Sequence, residues 1–336
     1  MLCIAAFIVF SILGIFSASY RKLAKKGWYC VLRKITLRPC DINFSEELKG
    51  KLLGKLIFTH PKLANFLSRF ANVFAFLFVI LTIWSTLYVA QAGLNLYVYD
   101  TCNPQNVESC SLGGEACGID GGTGEFGLWS TIQRIPDRWK NWQAKEYVPS
   151  TVSYYGGYQE SKPVALEIID PSCKFCKKLG ENIKAARFTE RNNLAYILYP
   201  IELWEGKYKF PHSYLIASYI EATKKVPLAN APISGDWQLL EKIFSDSKDD
   251  KTMQEIFNAT EDAAMVTTQL QQYLQQIGYS EEQIKTIATT STSSEVKDSL
   301  NAQRKIVNDE IRTRKIPTLL FDGRRYDRVV DVEQLQ

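Results

Sequence analysis

The chain has 336 residues, of which 46% are apolar and 23% are charged, and its formal net charge is +4. With 19 Gly and 12 Pro, the composition excludes collagen-like and fully disordered chains. Eight cysteines are too few for a disulfide scaffold at this length, so each cysteine has to be judged by its position.

The charge is unevenly distributed. Residues 21–71 contain 12 Lys/Arg and 3 Asp/Glu, residues 1–20 contain none of these, and the rest of the chain is net acidic. This asymmetry indicates membrane topology rather than nucleic-acid binding.

Two uncharged stretches are long enough to cross a bilayer, which needs roughly 20 apolar residues in a helix. We predict transmembrane helices over 1–20 and 72–97. A cleaved signal peptide is the alternative for the first, but the basic residues follow its apolar core instead of preceding it. Because basic loops resist translocation, residues 21–71 are predicted to be cytoplasmic. The expected protein is a two-pass cell-membrane protein whose N-terminus and C-terminal domain are extracytoplasmic (periplasmic in a bacterium with two membranes).

The basic loop contains a candidate helix. Asn43 and Glu46 have capping-box spacing, and leucines and lysines follow at helical intervals. This helix would lie on anionic lipid or serve as a solvated linker helix. The loop and the first span also contain Cys3, Cys30 and Cys40, which we interpret as inert.

Residues 98–158 form the predicted extracytoplasmic linker, with seven glycines among residues 113–127. Its cysteines are Cys102, Cys110 and Cys117. One interpretation is a local disulfide with a leftover thiol, and another is a thiol pair that exchanges electrons with the following domain. Metal binding is a third interpretation, against which the lack of a nearby histidine counts. The tryptophan-containing segment 129–147 is predicted to rest on the membrane or on the next domain, with Pro136 interrupting any single helix.

A reactive cysteine pair follows the linker. The apolar run of residues 164–170 predicts a strand buried on both faces, and Pro171 ends it. A helix then begins around Cys173 and Cys176 and is expected to run through Glu190. A cysteine at a helix N-terminus among lysines favours the thiolate, and a second cysteine one turn later can resolve a mixed disulfide. Zinc would need a second ligand pair, which the sequence lacks, so no metal is predicted.

Glu167 lies within this apolar strand. It would face solvent at a strand edge, or it would be buried behind the cysteines with a raised pKa and shuttle the proton of Cys176.

A second motif lies near the C-terminus. Residues 315–326 read KIPTLLFDGRRY, which predicts a loop, a strand from Thr318 to Phe321, a turn at Asp322-Gly323 and a second strand. The proline that enters this strand cannot donate a ladder hydrogen bond.

The DPSCKFC motif after a buried strand, followed by IPTLLFDG, resembles the thioredoxin superfamily over about residues 160–336. The resemblance implies a cis Pro317 facing the cysteines, Ile316 binding substrate through its backbone, and Glu167 as the buried acid of the family. The Lys-Phe pair between the cysteines departs from thioredoxin and DsbA, so a redox potential does not transfer.

The fold class that follows is an α/β thioredoxin-like domain over 159–336, preceded by the two transmembrane helices. A helical insertion over about 212–312 resembles DsbA, whereas the cysteine region is similar to DsbC and DsbG. Expected helices cover 213–223, 236–244, 264–277 and 292–311, with capping boxes at Ser280 and Thr292. A final helix after Asp331 has room for about one turn, so a longer natural chain is expected.

The predicted function is thiol–disulfide exchange on protein cysteines, in the direction of an oxidase, an isomerase or a reductase, with no bound cofactor. Expected partners are extracytoplasmic cysteine-containing proteins, the bilayer, and a membrane redox partner that is DsbB-like, similar to vitamin K epoxide reductase, or electron-donating. The alternatives are a tethered binding or assembly factor with a structural disulfide, and a metallochaperone. Asn258 and Asn43 begin glycosylation sequons, of which only Asn258 is expected outside the cytoplasm.

Overall fold

The computed structural model describes residues 7–9, 11, 18–36, 61–104, 115–119, 127–229 and 231–336. These residues form two compact units, Met1–Ala90 and Gln91–Gln336. The predicted amphipathic helix after Asn43, and Cys3, Cys40 and Cys110, lie outside the described residues, as does most of the predicted first span.

The helices, in chain order, are α1 (Ala18–Ile35), α2 (Pro61–Tyr99), α3 (Leu128–Ile132), α4 (Lys174–Ala185), α5 (Phe188–Arg191), α6 (Ser213–Thr223), α7 (Gly235–Ser245), α8 (Met253–Ala259), α9 (Ala263–Ile277), α10 (Glu281–Thr290), α11 (Ser294–Lys305) and α12 (Val332–Leu335). The strands are β1 (Cys117–Gly118), β2 (Val164–Ile169), β3 (Asn193–Leu198), β4 (Glu202–Trp204), β5 (Lys207–Tyr208), β6 (Ser247–Lys248), β7 (Lys251–Thr252), β8 (Lys315–Ile316), β9 (Thr318–Phe321) and β10 (Arg324–Tyr326).

The first unit contains α1 and most of α2. Among the described residues, one helix is long and apolar enough to cross a membrane, Val73–Tyr99, with a mean hydropathy of 2.3. Its middle exposes large apolar side chains such as Leu81, Trp84 and Tyr88, an arrangement that suits a lipid-facing surface. The structure thus has one candidate span, and a first span over 1–20 stays a prediction. Cys30, which we interpreted as inert, is disulfide-bonded.

The second unit is built on a four-stranded sheet with the order β10-β9-β2-β3. Strand β2 is parallel to β3 and antiparallel to β9, and β9 is antiparallel to β10. Because β2 lies between two other strands and is covered on both faces, its run is almost wholly apolar. The crossover from β2 to β3 contains α4, and the path from β3 to β9 contains the helices α6 to α11. This is the thioredoxin-type strand order with a helical insertion before the proline motif.

Local sequence signals set several element boundaries. The Asp322-Gly323 turn has positive φ at both residues, 51° and 68°, as a tight hairpin turn needs. Ser280 forms the predicted capping box with Gln283. At the next helix Ser293 caps the first turn in place of Thr292.

Two regions differ from expectation. The helix predicted to run through Glu190 ends at Ala185, because Arg187 takes a left-handed conformation with φ of 51°. The tryptophan segment forms α3 and two 3₁₀ turns, Ile135–Arg138 and Ala144–Tyr147, so Pro136 does interrupt it. Trp142 from this segment is buried against the domain, and its backbone N–H donates to the carbonyl of Gly323 at 2.8 Å.

Candidate active site

Cys173 lies at the N-cap of α4, directly after the turn that ends β2. The turn is set by Asp170, whose Oδ1 accepts from the backbone N–H of Ser172 at 2.9 Å, two residues on. The backbone N–H of Cys173 in turn donates to the carbonyl of Asp170 at 3.0 Å. A strand-ending proline and an aspartate turn therefore bring the Cys173 sulfur to the positive end of a helix.

Cys173 is disulfide-bonded to Cys117, with their Cα atoms 6.6 Å apart, and it has no exposed surface. Cys176 is the free thiol of the pair and is also fully buried. Cys173 and Cys176, the predicted reactive pair, are therefore not bonded to each other in this structure. The Cys117–Cys173 bond differs from our first interpretation of the linker, in which Cys117 belonged to a local disulfide or remained a spare thiol. Cys102 is disulfide-bonded with a partner other than Cys117.

The proline loop faces Cys173. The Ile316–Pro317 peptide bond is cis, and the carbonyl oxygen of Ile316 lies 3.8 Å from the Cys173 sulfur. The Thr318 hydroxyl supports the loop, since it lies within hydrogen-bond distance of the carbonyl oxygen of Lys315, at 2.7 Å, and of Asp327 Oδ1, at 3.0 Å. The structure thus brings Ile316 and Pro317 next to the cysteine, as the family resemblance implies.

Cys176 and Glu167 lie in the interior beneath Cys173. The Cys176 sulfur accepts a hydrogen bond from the backbone N–H of Asp170 at 3.4 Å, and its pKa is raised well above the usual value, mainly by burial. Burial also raises the pKa of Glu167 to about 8, and the charge of this carboxyl contributes to the raised pKa of Cys176. With 4% of its surface exposed on a central strand, Glu167 does not face solvent at a strand edge. Below about pH 8 this carboxyl is therefore protonated.

A cleft of about 670 Å³ borders Glu167. Charged side chains of α4 and α7, among them Lys177, Glu181 and Glu241, line the same cleft.

Asp170 is a second buried carboxyl, to which the sequence analysis gave no role. Its oxygens accept from Ser172, from the Ser213 hydroxyl at 2.6 Å and from the backbone N–H of Ile201 at 2.8 Å. Burial raises its pKa to about 6, although these hydrogen bonds act in the opposite direction. Asp170 therefore ties the cysteine loop to β3's continuation and to α6.

Helix α8 covers the same loop. Gln254 Nε2 donates to the carbonyls of Pro171 at 3.0 Å and Cys173 at 3.2 Å, and Asn258 Nδ2 donates to the carbonyl of Ser172 at 3.0 Å. The Asn258 nitrogen that glycosylation would modify is thus engaged beside the cysteines. The sequence analysis did not predict helix α8, because this short helix lacks an extended helical repeat of apolar residues. The capping box formed by Thr252 and Glu255 could have indicated it.

No group of three or more His, Cys, Asp or Glu side chains that could hold a metal ion occurs in the described part of the chain.

No protein-family model matches the sequence, and no curated protein matches it either. Among solved structures it is similar to the thiol-disulfide exchange protein alpha-DsbA2 from Wolbachia pipientis, at 17% identity and a TM-score of 0.39, over 57% of this chain and 87% of that one. It is also similar to MdbA, a thiol-disulfide oxidoreductase from Actinomyces oris, at 18% identity and a TM-score of 0.38, over 55% and 82% of the two chains. Proteus mirabilis ScsC matches at 13% identity and a TM-score of 0.37, over 62% and 83%. All three TM-scores are below 0.5, and the fold assignment depends on the strand order and the proline loop instead.

Proposed function

We propose that this protein is a membrane-anchored, extracytoplasmic thiol–disulfide oxidoreductase that acts on protein cysteines. The observation that carries the proposal is the Cys117–Cys173 disulfide, formed by a strand paired with Ile316. A mixed disulfide between Cys173 and an extended segment beside the proline loop is the geometry that a protein substrate would need.

The catalytic residues in this proposal are Cys173, Cys176 and Glu167. A substrate thiolate attacks the Cys173 sulfur of a Cys173–Cys176 disulfide, and Cys176 leaves as a thiolate that takes a proton from Glu167. A second substrate thiol then releases Cys173, which leaves the substrate oxidised and the enzyme dithiol. The backbone of Ile316 would pair with the substrate residue bonded to Cys173, as it pairs with Cys117 in the structure, and hold the substrate during both steps.

The anchor and the partner are part of the proposal. Helix α2 would hold the domain at the membrane surface, where a DsbB-like, vitamin K epoxide reductase-like or electron-donating membrane protein would reset the cysteines. Whether the protein acts as an oxidase, an isomerase or a reductase depends on whether its membrane partner removes electrons from the cysteines or donates electrons to them.

One observation favours a second function, that of a tethered binding or assembly factor. Cys173 is fully buried in its disulfide with Cys117, as a structural bond would be. In that function the disulfide would stabilise the domain and would not undergo exchange with substrates.

The reduction potential of Cys173 separates these functions. The full chain in detergent is equilibrated in glutathione buffers, acid-quenched and alkylated, and free Cys173 is quantified by mass spectrometry. A potential near about −120 mV indicates a disulfide donor, and one near about −270 mV indicates a reductase. Resistance to reduction below about −300 mV contradicts the oxidoreductase and favours the binding factor.

A further inference from the structure

The linker segment Glu115–Ile119 lies in the groove where a substrate would bind. Cys117 and Gly118 pair antiparallel with Ile316 and Lys315, and the Ile119 N–H donates to the carbonyl of Arg314 at 2.9 Å. At the other end of the segment, the carbonyl of Glu115 accepts from the Val329 N–H at 3.0 Å.

Side chains of the domain hold the same segment. The Arg314 guanidinium donates to the carbonyl of Ile119, and Lys209 Nζ donates to the carbonyl of Gly118 at 3.1 Å. Lys178 forms an ion pair with Glu115. Ile119 is 2% exposed, so the segment is packed as well as hydrogen-bonded.

Because the segment occupies the groove, it blocks access to the Cys173 sulfur and to the backbone of Ile316. The Cys173 sulfur is bonded and buried, and the backbone of Ile316 is already paired. An external protein has no access to either group until the segment leaves. A cysteine tethered on the same chain competes at an effective concentration of the order of mM, far above that of a typical protein substrate.

Cys176 is placed to displace the segment. Its thiol is free and buried, and its backbone N–H donates to the carbonyl of Cys173 at 3.0 Å, one helical turn away. A thiol in this position resolves a mixed disulfide by attacking the neighbouring sulfur.

We propose that Cys117 is a third redox cysteine and that Glu115–Ile119 is an internal gate, which occupies the substrate groove until Cys176 exchanges for Cys117. This rests on the proposed function, since it requires Cys173 to undergo exchange. In the gate-closed state Cys117 bonds Cys173 and Cys176 is a thiol; in the gate-open state Cys173 bonds Cys176 and Cys117 is the thiol.

The exchange is balanced within the chain. Cys176 loses its proton and attacks the Cys173 sulfur, the Cys173–Cys176 bond forms, and the Cys117–Cys173 bond breaks with the electron pair on Cys117. The Cys117 thiolate then takes up a proton in place of the one that Cys176 released to solvent, so the number of bound protons is unchanged. Each state has one disulfide and one thiol among these three cysteines, so the exchange consumes no oxidant or reductant.

The first experiment maps the disulfides of the full chain in detergent after acid quench and alkylation. Trypsin cuts after Lys174 and so separates Cys173 from Cys176, and a glutamate-specific protease cuts after Glu108 and Glu115 and so separates the linker cysteines. We expect a cross-linked Cys117–Cys173 peptide pair in the wild type. Wild-type protein that contains only the Cys173–Cys176 pair, at every glutathione ratio, overturns the gate.

The second experiment measures transfer of the protein's disulfide to a fluorogenic peptide with two cysteines, at equal concentrations and in a single turnover. We expect Cys117→Ser to oxidise this peptide about tenfold faster than the wild type, because its groove is open. Equal rates overturn the gate and leave the proposed function intact. If neither protein transfers its disulfide and Cys173 also resists reduction below about −300 mV in the glutathione titration, the proposed function fails, and a Cys117–Cys173 pair found by mapping is then a structural bond.

A variant pair that keeps every cysteine tests the strand itself. Ile119→Pro removes the N–H that donates to Arg314, whereas Ile119→Ala truncates the side chain and keeps that N–H. We expect Ile119→Pro to contain at least threefold more Cys173–Cys176 pair than Ile119→Ala. Equal disulfide distributions in the two variants contradict a gate held by backbone pairing.

Discussion

At the residue scale, two buried carboxyls differ in what surrounds them. Asp170 accepts three hydrogen bonds, which partly offset the effect of burial on its pKa. For Glu167 burial alone raises the pKa, to about 8. Asp170 is thus suited to hold the loop in place, and Glu167 to carry a proton near neutral pH.

The raised pKa of Glu167 predicts a pH-dependent stability. Between about pH 4.5 and pH 8 the folded protein holds a proton that the unfolded chain has lost. The free energy of unfolding therefore falls as pH rises through this window, at about 1.4 kcal/mol per pH unit for a full proton. Glu167→Gln lacks this contribution. Guanidinium unfolding of both proteins at pH 5, 6.5 and 8 should show the wild type losing stability relative to the variant, whereas parallel pH profiles would refute the assignment.

Asp170→Asn replaces one acceptor oxygen by an NH₂ group. At least one of the donors from Ser172, Ser213 and Ile201 then faces a second donor, so we expect a loss of about 1–3 kcal/mol in the free energy of unfolding. Asp298→Asn, at an exposed position of α11, is the matched control and should change stability by less than about 0.5 kcal/mol. A similar small effect for both variants would mean that the loop does not depend on this carboxylate.

At the scale of elements, helix α8 is the part of the insertion that reaches the cysteines. Its amide side chains bind the carbonyls of three consecutive residues, Pro171, Ser172 and Cys173. The insertion therefore restricts the cysteine loop directly, although it lies about 80 residues further along the chain.

Gln254→Ala removes two of these hydrogen bonds. It also removes the Gln254 Oε1 atom, which is buried without a hydrogen-bond partner, so the net loss of stability is expected to be only about 1 kcal/mol. The local effect should be larger: faster hydrogen exchange over residues 171–177 and faster alkylation of Cys176. Gln275→Ala, at an exposed position of α9, should leave both rates unchanged. Unchanged alkylation in Gln254→Ala would contradict a clamp by α8.

At the scale of the whole molecule, the charge distribution and the disulfide at Cys30 favour opposite locations for the basic segment. The basic segment 21–71 predicts a cytoplasmic loop, but Cys30 within it is disulfide-bonded, and reducing compartments seldom maintain such bonds. Within the second unit, the end of α2 is tied to the proline loop, since Lys315 Nζ donates to the carbonyl of Asp100 at 3.0 Å. If α2 crosses a membrane, residue 100 and the cysteine site lie on the same side of it.

Cysteine labelling in intact cells decides this topology. Thr289→Cys lies at an exposed position of α10, and Lys62→Cys at an exposed position near the start of α2. We expect a membrane-impermeant maleimide to label Thr289→Cys in intact cells, and Lys62→Cys only after the cells are permeabilised. The reverse pattern would place the second unit in the cytoplasm, and labelling of both from outside would show that the basic segment is not cytoplasmic.

The sequence by itself determined what depends on neighbours along the chain. The apolar run of β2, the Asp322-Gly323 turn and the position of Cys173 at the start of a helix all follow from local patterns, and so does the apolar stretch of α2. The loop and strand of the proline motif were also predicted from the residues, whereas the cis Pro317 facing the cysteines was predicted through a family resemblance.

Only the tertiary structure decided which groups meet across long separations. The Cys117–Cys173 disulfide joins residues 56 positions apart. The hydrogen bonds from Gln254 and Asn258 to the cysteine loop join residues that are still further apart in the sequence. No local periodicity encodes such contacts, because each depends on how the strand and helix ends converge once the sheet has formed. The burial of Glu167 likewise depends on tertiary structure, because the strands on either side of β2 cover it. That burial raises its pKa and so determines its protonation state.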